Sequence, residues 1–201
     1  MTDPVLDHAL AGRAALLDRL AAFVAHPSVG ADPAYADGME AARRFLETRL
    51  AEAGFERIGR LTAPDRTGQP AIYAEWLGAE GAPTLLVYGH YDVQPPDPVG
   101  LWDSPPFEAT VRDGRLYGRG TCDMKGFDAL ALAAVPKALA AGIKRPLQIA
   151  LSYDEEVGCL GAPRMIADMG RTLPRATLAL IGEPSNWKVV TGHKGGIGIA
   201  T

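Results

Sequence analysis

Apolar positions along the amino-terminal segment recur at three- or four-residue or nearby spacing, through Leu6, Leu10, Leu17, Leu20 and Val24. That period predicts an amphipathic helix, which should stop at His26-Pro27 because the residue before a proline is pushed out of the helical region. A second helix is predicted over residues 39–53, where Ala42, Phe45, Leu46 and Leu50 repeat the pattern and Gly54 supplies the stop. The pattern then changes. AIYAEWLG, TLLVYGHYDV, QIALSYD and ATLALIG are near-continuous apolar runs of strand length. RLYGRG reads as a short strand feeding a helix over about residues 125–141, which Pro136 should kink or shorten, since an interior proline costs about 3 kcal/mol. GAPRMIADM is a further helix, whereas residues 94–107 hold five prolines and predict a long surface loop. Buried strands separated by helices imply an α/β fold, a three-layer α/β/α sandwich around a mostly parallel, mixed sheet.

Composition narrows the partners. The chain has 201 residues, 47% hydrophobic and 22% charged, enough to bury a real core. A formal net charge of -4 without a basic cluster gives no basis for binding nucleic acid or an anionic membrane. Asp7, His8, Arg13, Asp18 and Arg19 interrupt the first helix and exclude a signal-peptide core or a membrane span. Cys122 and Cys159 are too few and too far apart for a disulfide framework or a zinc knuckle, and reduced thiols suit the cytoplasm. Both cysteines read as small buried packing residues. His8 and His26, on or just after the first helix, read as solvated.

The carboxyl ends of the strands carry the chemistry. TLLVYG runs into His90 and Asp92, RLYGRGTC into Asp123, QIALSYD into Glu155 and Glu156, and ATLALIG into Glu183. Open α/β sheets bind ligands beyond those ends, where loops converge without interrupting the ladder. So many like charges at one edge are unfavourable unless a cation sits among them, and one histidine with several carboxylates suits divalent zinc. Each residue also has a plainer reading: His90 as a hydrogen-bonded structural histidine, Asp123 as a helix cap, Glu155 and Glu156 as a solvated turn.

The four segments GHYDV, GRGTCDMKG, YDEEVG and IGEPS, in that order and across most of the chain, resemble the signatures of a two-zinc amidohydrolase superfamily. It contains acetylornithine deacetylases, succinyl-diaminopimelate desuccinylases, aminoacylases, carboxypeptidase G and carnosinase-like dipeptidases. The resemblance implies a zinc-exopeptidase-like fold and two Zn2+ or Co2+ ions. His90 and Glu183 would bind the first ion, Asp123 would bridge both, and Glu156 would bind the second. Asp92 would steady the imidazole, and Glu155 would be the general base that takes a proton from the attacking water and delivers it to the departing amine. It also implies a cis peptide at Asp123-Met124.

GRGTCDMKG, SYDEEVGCLGAP and IGEPSNWKVVTGHKG point within that superfamily toward deacylation of an N-acyl amino acid, with N-acetylornithine as the nearest substrate and arginine biosynthesis as the setting. GHYDVQPPDPVGLWDSPPF points toward the dipeptidases. GHKGGIG lacks the glycine order and the Lys-Ser or Lys-Thr of a phosphate loop and reads as a turn and strand, with His193 unassigned. The resemblance further implies that residues 1–187 are the amino-terminal part of a catalytic domain and that residues 188–201 open a lid and dimerisation domain. In complete relatives, which form homodimers, that domain supplies an oxyanion histidine and the returning chain the last metal ligand. Such a chain would hold one metal at its full ligand set, turn over little, and leave an apolar sheet edge. The alternative is a non-catalytic remnant binding at most one metal.

Overall fold

The computed structural model describes residues 4–62, 68–186, 188 and 190–192. The amino-terminal helix divides at Gly12 into α1, Pro4–Ala11, and α2, Arg13–Val24. Hydrogen bonds from Gly12 N to His8 O and from Leu16 N to Gly12 O, both 3.0 Å, carry the helical path across the break. α2 buries Leu20, Phe23 and Val24, while Leu6 and Leu10 of α1 are exposed. The predicted single amphipathic helix is therefore two, divided at Gly12, with the buried apolar side chains of α2 in its carboxyl-terminal half.

Helix α3, Ala36–Glu52, buries Met39, Ala42, Leu46 and Leu50 and ends before Gly54, whose φ of 96° reverses the chain. Strand β1, Arg57–Leu61, was not legible in the sequence: RIGRL has two apolar side chains, Ile58 and Leu61, and sits at a sheet edge. Two further strands of the main sheet follow, β2, Ala71–Trp76, and β3, Leu85–His90. Next come the three-residue strands β4, Thr110–Arg112, and β5, Arg115–Tyr117, and then helix α4, Lys125–Ala140. The chain continues through β6, Leu147–Ser152, helix α5, Gly161–Thr172, and β7, Leu178–Ile181.

Among the described residues, five strands form the main sheet in the order β1-β2-β6-β3-β7. β3 runs parallel to β6 and to β7, whereas β2 is antiparallel to β1 and to β6, so the sheet is mixed with a parallel half. RLYGRG does not join it. Among the described residues its strand β5 pairs with β4 alone, through a tight turn in which Asp113 and Gly114 both have positive φ. Pro136 is accommodated, and α4 continues past it to Ala140 with the proline ring on its exposed side. The segment with five prolines is irregular except for a short turn at Val99–Leu101.

Alternation along the strands decides what each face meets. Gly89 and Leu151 face α4, where the Asp128 carboxylate lies directly over Gly89. Leu86 and Tyr88, one residue out of step, face Met165 and Met169 of α5 on the other side. α3 packs on β1 and β2, and Phe23 of α2 stacks on Phe45 of α3 at 5.2 Å. The result is the expected three layers of helices, sheet and helix.

Candidate metal centre

Three parallel strands, β6, β3 and β7, end on one edge of the sheet, and the residues that follow them converge. His90 is the last residue of β3 and is fully buried. Glu155 and Glu156 follow β6 after a turn at Asp154, whose φ is 53°, and Glu183 lies two residues beyond β7. Asp123 arrives differently, from the turn between the β4-β5 hairpin and α4, so its placement depends on the docking of α4 and not on a main-sheet strand end. The Asp123-Met124 peptide is cis, as the resemblance implies, and Asp97-Pro98 is cis as well.

His90 Nε2 is 3.2 Å from Asp123 Oδ1, 3.7 Å from Glu155 Oε2 and 3.7 Å from Glu183 Oε1. Nδ1 lies 3.0 Å from the main-chain oxygen of Asp92 and 3.5 Å from that residue's carboxylate. A carbonyl only accepts, so this contact puts a hydrogen on Nδ1 and turns Nε2 toward the acids. The nearer partner of the imidazole is thus the backbone at Asp92. The Asp92 carboxylate instead accepts from Glu156 N at 3.2 Å. Two sets of ligand atoms each lie within 4.8 Å of one another: His90, Asp123 and Glu156, and His90, Glu155 and Glu183. The adjacent glutamates diverge, one into each set.

The electrostatics are those of a site short of positive charge. Burial raises the carboxyls of Glu183 and Glu156, and the neighbouring acids raise them further, against the pull of the Gln94 hydrogen bond on Glu156 and of His90 on both. For His90, burial opposes a charged ring, but hydrogen bonds to Asp123 and Asp92 and the surrounding carboxylates outweigh it and hold the imidazole at about 11. One imidazole nitrogen with several carboxylate oxygens is a donor set for a divalent ion such as zinc, so the residues present fit the implied metal.

The surroundings are rigid for reasons the sequence did not show. Ser28 Oγ donates to Tyr91 O at 2.6 Å and Val93 N donates to Ser28 O at 2.9 Å, clamping the chain on both sides of Asp92. Lys125 Nζ donates to Phe23 O at 3.1 Å and His26 O at 2.7 Å, tying the start of α4 to the end of α2. Desolvation brings that fully buried amine down to about 7. Asp128 is also fully buried, with no hydrogen-bond partner on either carboxylate oxygen among the described residues, and desolvation raises it well above the usual range. A charged residue next to a motif gives no sign in sequence that it faces inward.

Two minor expectations are corrected. Cys122 and Cys159 are exposed free thiols, since they lie on turns at the rim, and Cys159 Sγ donates to Glu155 Oε1 at 3.2 Å. His26 is not fully solvated: it packs on Phe45 at 5.4 Å, and burial lowers its pKa. His193 and most of GHKGGIG lie outside the described residues.

These strand ends and acids have relatives. The chain matches peptidase family M20/M25/M40 over residues 86–194, more than half its length, and belongs to that family. Its resemblance is to metal-dependent amidohydrolases. It is 35% identical over 187 residues to acetylornithine deacetylase of Pasteurella multocida, covering 92% of this chain and 47% of that protein. The acetylornithine deacetylase of Photorhabdus laumondii is 38% identical over 174 residues, 86% of this chain and 43% of that protein. The chain thus spans about half the length of the curated relatives it matches. Among solved structures, an M20 family metallo-carboxypeptidase of Sulfolobus solfataricus superposes with a TM-score of 0.72 at 28% identity, over 83% of this chain and 37% of that one. A dipeptidase of Saccharomyces cerevisiae shares the fold, with a TM-score of 0.74 at 23% identity, over 86% of this chain and 39% of that one. Among the described residues no helix is long and apolar enough to cross a membrane.

Proposed function

We propose that this chain carries the metal-binding half of a hydrolase that cleaves the amide bond of an N-acyl amino acid, with N-acetylornithine as the nearest substrate. The observation that carries the reading is the convergence of His90, Asp123, Glu155, Glu156 and Glu183 around one imidazole nitrogen at the ligand-binding edge of the sheet. In this reading His90 and Glu183 would hold one divalent ion and Glu156 a second, with the Asp123 carboxylate available to both. Bound there, such ions supply Lewis-acid polarisation of the amide carbonyl and make water more acidic. Glu155 takes the proton of the attacking water and returns it to the departing amine. Its Oε2 already points at the cluster while its Oε1 is held by Cys159. Asp92 acts from behind, through the imidazole and the backbone of Glu156. Residues 1–187 would form this catalytic portion and residues 188–201 the approach to a further domain, of the kind through which relatives pair as homodimers. A cytoplasmic setting and zinc as the resident metal belong to the same reading.

The segment GHYDVQPP and the structural likeness to dipeptidases favour a second reading, cleavage of a dipeptide at the same centre. The deciding experiment measures bound Zn2+ and hydrolysis of N-acetylornithine beside a dipeptide panel, for the chain and for Glu155→Ala and His90→Ala. Glu155→Ala should keep metal and lose whatever turnover the parent shows, while His90→Ala should lose metal. Metal loss with surviving turnover in Glu155→Ala would overturn the assignment of base and ligand. A preference for dipeptides would transfer the function to the second reading.

A further inference from the structure

We propose that Gln94 is a positioning residue for Glu156, a role that rests on the metal-centre reading above. The chain beyond β3 alternates. Tyr91 and Val93 are fully buried on one side, whereas His90, Asp92 and Gln94, each two residues on from the last, serve the other. His90 faces the acids through Nε2, Asp92 accepts the backbone N-H of Glu156, and Gln94 Nε2 donates to both Glu156 O and Glu156 Oε2 at 2.9 Å. An amide NH2 has two hydrogens, one for each acceptor. One side chain therefore ties the main chain and the carboxylate of Glu156 together and selects its rotamer. It does so without a positive charge that would compete with a cation for the same oxygen.

Gln94 is itself held in place. Pro95 restricts it to an extended backbone, and Pro95 O accepts from Arg119 Nη2 at 3.1 Å. Arg119 lies over the Trp102 ring at 5.0 Å, and Trp102 Nε1 donates to Pro96 O at 2.8 Å. The proline-rich loop, which the catalytic reading leaves without a task, thus fastens the base of the side chain that holds Glu156.

The test uses Gln94→Met, which keeps length and removes the donor at an exposed position, with Zn2+ alone as the probe in calorimetric titration. The Zn2+ binding that Glu156→Ala removes should weaken about 10- to 100-fold in Gln94→Met, the range for lost support of a metal ligand. In the Glu156→Ala background the same substitution should change nothing, because the group it acts through is gone. Unchanged affinity in Gln94→Met, or a loss that persists in the Glu156→Ala background, overturns the positioning role alone. A parent chain that binds no Zn2+, or whose Zn2+ binding Glu156→Ala leaves unchanged, overturns the reading of Glu156 as a metal ligand and this role with it.

Discussion

Gly89 precedes His90 on β3, and a side chain there would have nowhere to go. A Cβ at this position would overlap the Asp128 carboxylate and stand 3.2 Å from Leu151 Cδ2. Both neighbours are buried and belong to packed elements, so neither can retreat into solvent. Gly89→Ala is therefore expected to destabilise the fold by about 1 to 3 kcal/mol, the usual cost of overpacking a core. A urea unfolding midpoint equal to that of the parent would show that α4 can shift away from the sheet. The same contact explains the apposition of a carboxyl and a strand backbone: with no side chain at Gly89, α4 approaches closely enough for Asp123 at its amino-terminal side to reach His90.

At the level of elements, α3 and β1 are joined by charge where apolar pattern is thin. Arg60 of β1 donates to both oxygens of Glu40, at 2.9 and 3.0 Å, and to Glu47 Oε1 at 2.6 Å. Arg43 and Arg44 add further bonds to Glu40 at 3.0 Å each. The hydrogen bonds from Arg60 lead in lowering the Glu40 carboxyl from 4.5 to about 2, outweighing a smaller opposing effect of burial. Because the folded-state value is depressed, this stabilisation is complete above 4.5 and is lost as pH falls toward about 2. Glu40→Gln should cost roughly 1 kcal/mol near neutrality, as for a partly exposed network, and the gap from the parent should close across that acid range in urea unfolding. A gap that stays constant with pH would mean that Glu40 contributes by packing alone.

Across the whole molecule, β7 is the last strand of the sheet among the described residues, with Leu178, Leu180 and Ile181 exposed, and an apolar groove runs between it and α5 past Leu86, Tyr88, Met165 and Ile166. An exposed apolar surface on a folded chain binds hydrophobic dyes and favours association. The 201-residue polypeptide should accordingly bind the dye ANS while its near-native unfolding transition is intact, and Ile166→Ser should reduce the signal without lowering the unfolding midpoint. Absence of dye binding by the folded parent would mean that this face is covered in solution.

The linear pattern determined most of the elements and marked the four ligand candidates and the candidate base Glu155, since apolar runs of strand length and the chemistry at their ends are local features of the chain. It did not reveal β1, whose two apolar residues are too few to announce an edge strand held by a ladder and by Arg60. Nor did it reveal the inward-facing Lys125 and Asp128, which stand at the head of an otherwise apolar stripe on α4, or the exposure of the two cysteines. The membership of RLYGRG in a separate hairpin was also a tertiary outcome, because pairing partners are chosen by distant residues. Only the assembled sheet, by making β3, β6 and β7 parallel, put their chemistry on a common edge. Distances of a few ångströms between residues up to 93 positions apart follow from packing and not from spacing in the chain.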